Sequence, residues 1–138
     1  MEPNEGTFVL HTENTKKGKI NPVHLVDVPG HSRLRPKLEE FLPQAAAIVF
    51  VVDALETDKL TAHTKEFIRK QMEKEIEKLR ASRSAVSTAV IANDFSIGIE
   101  GEVFSFSHCY NKVTVAEASG LTGETVQIQD FIREYIKP

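Results

Sequence analysis

What the chain has little of narrows the field first. One cysteine and no tryptophan occur among 138 residues. Cys109 has no internal partner for a disulfide, which suits a reducing compartment such as the cytosol. It stands beside His108, but the five histidines are scattered without metal-ligand spacing, so zinc is not expected. Long apolar runs are absent as well. The longest, Ala45 to Val52, falls far short of the ~20 residues a membrane-spanning helix needs. The N-terminus, from Met1 to Phe8, has neither a basic stretch nor an apolar core and does not read as a signal peptide. There is no excess of positive charge: the net charge of -3 gives no electrostatic case for nucleic acid, whose recognition begins with a basic surface.

What is present fits one soluble domain over residues 1–138, with 41% hydrophobic and 27% charged residues. Thr7 to His11 reads as a short strand, followed by a polar turn through Lys19. A second strand, Val23 to Val28, stops at Pro29-Gly30. Leu34, Leu38, Phe41 and Leu42 then recur at helical spacing up to Pro43. Ala47 to Asp53 is continuously apolar and β-branched, as in a strand covered on both faces of a parallel sheet. From Thr61 to about Ser84 a long charged helix is expected, with Phe67, Ile68, Met72, Ile76 and Leu79 inward and its charges solvated. After a loop over 85–101, two short strands are expected at 103–106 and 112–116, and a last helix from Val126 to Ile136. Strand, helix and buried strand in that order predict an α/β layered domain.

The residues that carry chemistry are Asp27-Val28-Pro29-Gly30-His31, directly after an apolar strand. In P-loop GTPases an Asp at such a strand end holds Mg²⁺, usually through water. The Gly offers its backbone N–H to the γ-phosphate, where a side chain would obstruct approach. Loss of that phosphate releases the loop, which makes it a switch. His31 takes the place of the residue that orients the attacking water. The bland alternative is an ordinary Asp-x-Pro-Gly turn. A strand before the motif, and a helix and apolar strand after it, favour the switch.

At this point the sequence becomes familiar. His24 to His31, then Leu34-Arg35, Ala46 to Asp53, and Lys74 to Ser84 resemble, in order, the beta-subunit family of the signal recognition particle receptor. The resemblance implies a partial Ras-like P-loop GTPase fold, a mostly parallel sheet flanked by helices. It further implies GTP and Mg²⁺ as ligands, with Asp27 the magnesium residue where a phosphate loop is present. The family sits on the cytosolic face of the endoplasmic reticulum and docks the receptor's alpha subunit for cotranslational protein targeting. Asp58 resembles the base-reading Asp of an Asn-Lys-x-Asp motif, although at a helix start it also fits a capping role. Ser119 and Gly120 lie where the family's guanine-contacting loop falls.

The departures are as informative. No Gly-x-x-x-x-Gly-Lys-Ser/Thr occurs; the one Gly-Lys, Gly18-Lys19, is followed by Ile20. Against the family, the first strand with its phosphate loop is missing. A further strand and helix are missing after Glu56, as in a shortened isoform that binds nucleotide poorly, does not hydrolyse GTP and self-associates. Two other readings stand beside this one. A fragment of a translational GTPase would share Asp-x-Pro-Gly-His, and a nucleotide-independent interaction module would keep only the partner-facing surface.

Overall fold

The computed structural model describes residues 2–10, 22–54, 63–86 and 97–135. Two compact units divide the chain, one of Met1–Val51 with Ala118–Pro138 and one of Val52–Glu117.

In the first unit, β1 (Asn4–Phe8) pairs antiparallel with β2 (Val23–Asp27), in the register Asn4 opposite Asp27 and Phe8 opposite Val23. β1 begins three residues before the stretch the sequence favours, and ends at Phe8. Val23 is buried, whereas Leu25 on the same strand is exposed. A 3₁₀ turn, Ser32–Leu34, leads into α1 (Arg35–Phe41), which carries Pro36 in its first turn, where a missing N–H costs no helix bond. Pro43 then falls in a second 3₁₀ turn, Leu42–Gln44, closed by the Ala45 N–H on the Leu42 carbonyl at 3.2 Å. The unit ends in α3 (Val126–Tyr135), whose Ile128, Phe131 and Ile132 are half-buried. Thr125 starts it: the Gln129 N–H donates to its carbonyl at 3.0 Å and the Gln129 amide to its hydroxyl at 3.1 Å.

The second unit is organised on α2 (Lys65–Val86). The Phe67 N–H donates to the Thr64 hydroxyl at 3.3 Å and the Lys65 N–H to a Glu117 carboxylate oxygen at 3.2 Å. Two oxygens thus satisfy helix-start donors that would otherwise lack partners. The capping hydroxyl here is that of Thr64; Asp58, for which both a capping and a base-reading role were open, lies outside the described residues.

Three strand expectations are corrected. Ala47 to Asp53 lies in no strand pair among the described residues, and Ile48, Phe50 and Val51 are 59%, 76% and 83% exposed. The sheet among the described residues is the antiparallel β1–β2 pair, not a mostly parallel one. Residues 103–106 and 112–116 form no strand either. At 104 and 106 the reason is visible: carboxylates of α2 accept the backbone N–H groups that a neighbouring strand would have taken. The inward face of α2 also differs from its apolar pattern. Ile68, Met72 and Ile76 are half-buried together with Glu73, Glu77 and Arg80, while Phe67 and Leu79 are exposed.

Candidate functional site

Asp27 closes β2, and its place is set by the ladder: it is the last residue of the strand, opposite Asn4, with its side chain exposed. Val28 and Pro29 are half-buried and carry the chain to Gly30. A Cβ added at Gly30 would meet nothing within 4 Å, and its backbone is not among those with positive φ. Neither packing nor backbone conformation in this chain therefore asks for glycine at 30. A turn glycine commonly serves a left-handed conformation; here that reason is missing.

His31 stands in extended conformation at the head of the 3₁₀ turn, with φ -75° and ψ 135°. Its Nδ1 accepts the Arg33 N–H at 3.2 Å and its carbonyl accepts the Leu34 N–H at 2.9 Å. A ring whose Nδ1 accepts carries its proton, when neutral, on Nε2. The turn thus fixes the ring's tautomer and leaves Nε2 as the nitrogen for a water or a partner.

The Ser119–Thr125 loop belongs to the same unit as Asp27, Gly30 and His31. It is closed on itself: the Ser119 N–H donates to the Glu124 carbonyl at 3.0 Å, the Thr122 N–H to the Ser119 hydroxyl at 3.2 Å, and the Thr125 N–H to the Gly123 carbonyl at 2.9 Å. Gly123, at φ +78°, permits the reversal. The Ser119 donor and hydroxyl are thereby committed within the loop, while Gly120 is exposed.

Sequence reasoning missed a second constellation, in the other unit. Glu73, Glu77 and Arg80 lie four and three residues apart on one side of α2, a spacing that places them on a common helix face. A Glu73 carboxylate oxygen accepts the Phe106 N–H at 2.8 Å and the Ser105 hydroxyl at 3.1 Å. Glu77 accepts the Phe104 N–H at 2.8 Å. Arg80 donates to the carbonyls of Ile97 (3.4 Å), Ile99 (3.1 Å) and Glu102. The three side chains grip the backbone of residues 97–106 and bring Phe104 to 3% exposure, edge-on to Phe106 and His108. Gly98 is required here: its φ is +86°, and a Cβ would lie 2.9 Å from an Arg80 guanidinium nitrogen and 3.1 Å from the Phe104 ring. The bond from the Phe106 N–H, helped by Ser105 and Arg69, holds the Glu73 carboxyl below its usual value despite burial. The charge pattern Glu-x₃-Glu-x₂-Arg was in view in the sequence, but a solvated helix face shows the same letters.

Among the described residues no three His, Cys, Asp or Glu side chains converge on a metal-sized site. Asp27 carries the one carboxylate of the 27–31 loop. The phosphate cradle and lysine that would complete a triphosphate site have no match in the 138 residues. Asp27, Gly30 and His31 by themselves fall short of such a site.

The class is a Ras-like GTPase fold. The chain belongs to the ADP-ribosylation factor family, whose sequence profile matches residues 4–98. It is 29% identical to signal recognition particle receptor subunit beta of Homo sapiens over 164 residues, covering 88% of this chain and 60% of that protein. Against the Dictyostelium discoideum subunit beta it is 25% identical, with 97% of this chain and 57% of the relative covered. A chain in a solved structure of the mammalian SRP receptor superimposes with a TM-score of 0.76 at 22% identity, covering 99% of this chain and 84% of that one. The chain thus spans about 60% of the length of these relatives. In the human match the chain supplies 88% of its 138 residues, about 121, to 164 aligned positions, so about 43 positions of the relative face gaps within the match. That is the scale of a missing strand and helix. No described helix is long and apolar enough to cross a membrane.

Proposed function

We propose that this chain acts as a signal recognition particle receptor beta subunit does. It docks the receptor's alpha subunit on the cytosolic face of the endoplasmic reticulum, through a surface that includes the Asp27–His31 loop. The observation that carries the reading is Gly30: a glycine that neither its backbone nor its neighbours require, at the tip of a loop anchored by a strand and a capped turn. The family match over residues 4–98 and the subunit-beta relatives support it. The two units are read as parts of one domain.

In this reading Asp27 would hold magnesium, the Gly30 N–H would serve the γ-phosphate and His31 would serve the attacking water only where a phosphate loop completes the site. Asp58, Ser119 and Gly120 are the remnants of the base-reading loops. The same proposal holds that this chain binds GTP weakly. Without the cradle of backbone N–H groups and its lysine, little offsets the triphosphate charge. Docking then depends on the surface rather than on a nucleotide cycle.

Two measurements test this. Immobilised chain is expected to retain purified receptor alpha subunit equally with and without GTP, and Gly30→Val, which puts a side chain where the partner approaches, is expected to weaken that capture. Titration calorimetry with GTP and magnesium is expected to show no submicromolar binding; tight binding that discriminates against ATP would sink the weak-nucleotide part. Failure to retain the alpha subunit would sink the docking part.

A further inference from the structure

We infer that Arg33 and Arg35 are the contact points for an acidic segment of the docked alpha subunit, an inference that rests on the docking reading above and adds the charge its partner must carry. Between Asp27 and Glu39 the chain has no carboxylate, and its charged side chains there are Arg33, Arg35 and Lys37. All three are exposed. Lys37 is answered by Glu40 at 3.1 Å. Arg33 and Arg35 have no ion-pair partner among the described residues. Arg69, Arg80 and Arg133, by contrast, meet Glu73 at 3.5 Å, Glu77 at 3.1 Å and Asp130 at 2.7 Å. A locally positive patch, on a chain of net charge -3, thus follows directly on the Asp27–His31 loop.

The backbone under the two guanidinium groups is fixed before any partner arrives. The Arg33 N–H donates to His31 Nδ1 at 3.2 Å, the Arg35 N–H donates to the Ser32 carbonyl, and Pro36 pins φ directly after. Only side-chain rotamers remain to be ordered on binding, which lowers the cost of contact. The planar fork of arginine matches the two oxygens of a carboxylate. Phosphate matches the same fork, so the number of cations decides between the sources. A duplex phosphate footprint uses ~6–10 contacts and an anionic-lipid patch ~4–8 Lys or Arg. Two unpaired arginines fall short of both. Carboxylates of a protein partner match them one for one, and such charges at an interface act mainly on the rate of encounter.

The test measures association of purified alpha subunit with the immobilised whole chain across a salt series. Wild type is expected to associate more slowly as salt rises, because ions screen the attraction. Arg33→Glu combined with Arg35→Glu is expected to lower the association rate about tenfold at low salt and to reverse its salt dependence. Both sites are exposed, so helical circular dichroism of the double variant should match wild type. The matched control is Lys70→Glu combined with Lys74→Glu, at exposed positions of the other unit. It carries the same change in net charge and is expected to associate at the wild-type rate. Vesicles containing phosphatidylserine are expected not to retain the chain. An association rate indifferent to the Arg→Glu pair, an equal loss in the Lys70 and Lys74 control, or vesicle retention that the Arg→Glu pair abolishes would each overturn the inference. A wild-type chain that retains no alpha subunit would sink the docking reading, and this inference with it.

Discussion

Residues 45–53 and residues 97–108 both run largely without regular secondary structure, yet they meet opposite fates. The second stretch holds the most buried side chain among the described residues, Phe104, while the first leaves Phe50 and Val51 largely in solvent. Hydrophobicity does not separate them, since 45–52 is the more apolar by far. What separates them is whether polar backbone finds partners. Carboxylates and a guanidinium of α2 take N–H and carbonyl groups within 97–106, so backbone beside Phe104 is buried with partners. A segment with apolar side chains but no strand beside it has no such route to the interior.

The comparison can be broken from the buried side first. Phe104→Ala should destabilise the second unit most, by about 3 kcal/mol, the low end for truncating a buried aromatic; urea denaturation followed by helical circular dichroism measures it. Arg80→Met removes three donors to carbonyls while keeping the aliphatic stem. A loss of about 2 kcal/mol is expected, with amide exchange accelerated across 97–106 rather than along α2. Gly98→Ala forces a side chain into a left-handed backbone against Arg80 and Phe104, and a cost of roughly 1–2 kcal/mol is expected in the same denaturation.

Acid sharpens the comparison further. The Glu73 carboxyl is held below its ordinary 4.5, so its bonds stabilise the folded form fully above that value and are lost as pH falls below it toward the folded value. Amide exchange at Phe106 should therefore accelerate below about pH 4.5 beyond the intrinsic rate, and Glu73→Gln should remove that dependence. The smallest effect is expected at Gly30→Ala. With open space around the new methyl and no left-handed backbone, stability should change by no more than ~0.5 kcal/mol; a larger loss would show that the chain itself needs the glycine.

Much of the fold was legible in the residues. β2, α1 and α3 fall close to where apolar spacing and Pro43 place them, and α2 does so too, although it starts at Lys65 rather than at Thr61. The candidate loop was legible too, because Asp-x-Pro-Gly-His after an apolar strand is a local pattern. The stretches at 47–53 and 103–106 were not. Strand propensity states that side chains suit a pleated surface, but pairing depends on a neighbour elsewhere in the chain. At 104 and 106 that neighbour proved to be Glu77 and Glu73, far back along the chain, and no periodicity marks a carboxylate that will bind backbone rather than water. Asp58, whose reading rested on resemblance, lies outside the described residues.

The β1–β2 ladder also works as a ruler. With Asn4 opposite Asp27 and Phe8 opposite Val23, the position of Asp27 is counted off in whole strand residues. A slip of one residue would turn the carboxylate to the opposite face of the pair, and a slip of two would carry it about 6.6 Å along the strand axis. A single inserted or deleted residue inside Val23–Asp27 is thus worse for the loop than several between Phe8 and Val23, where length can change without altering the count. Tolerance to indels in this chain is expected to be a step function, falling sharply at Val23.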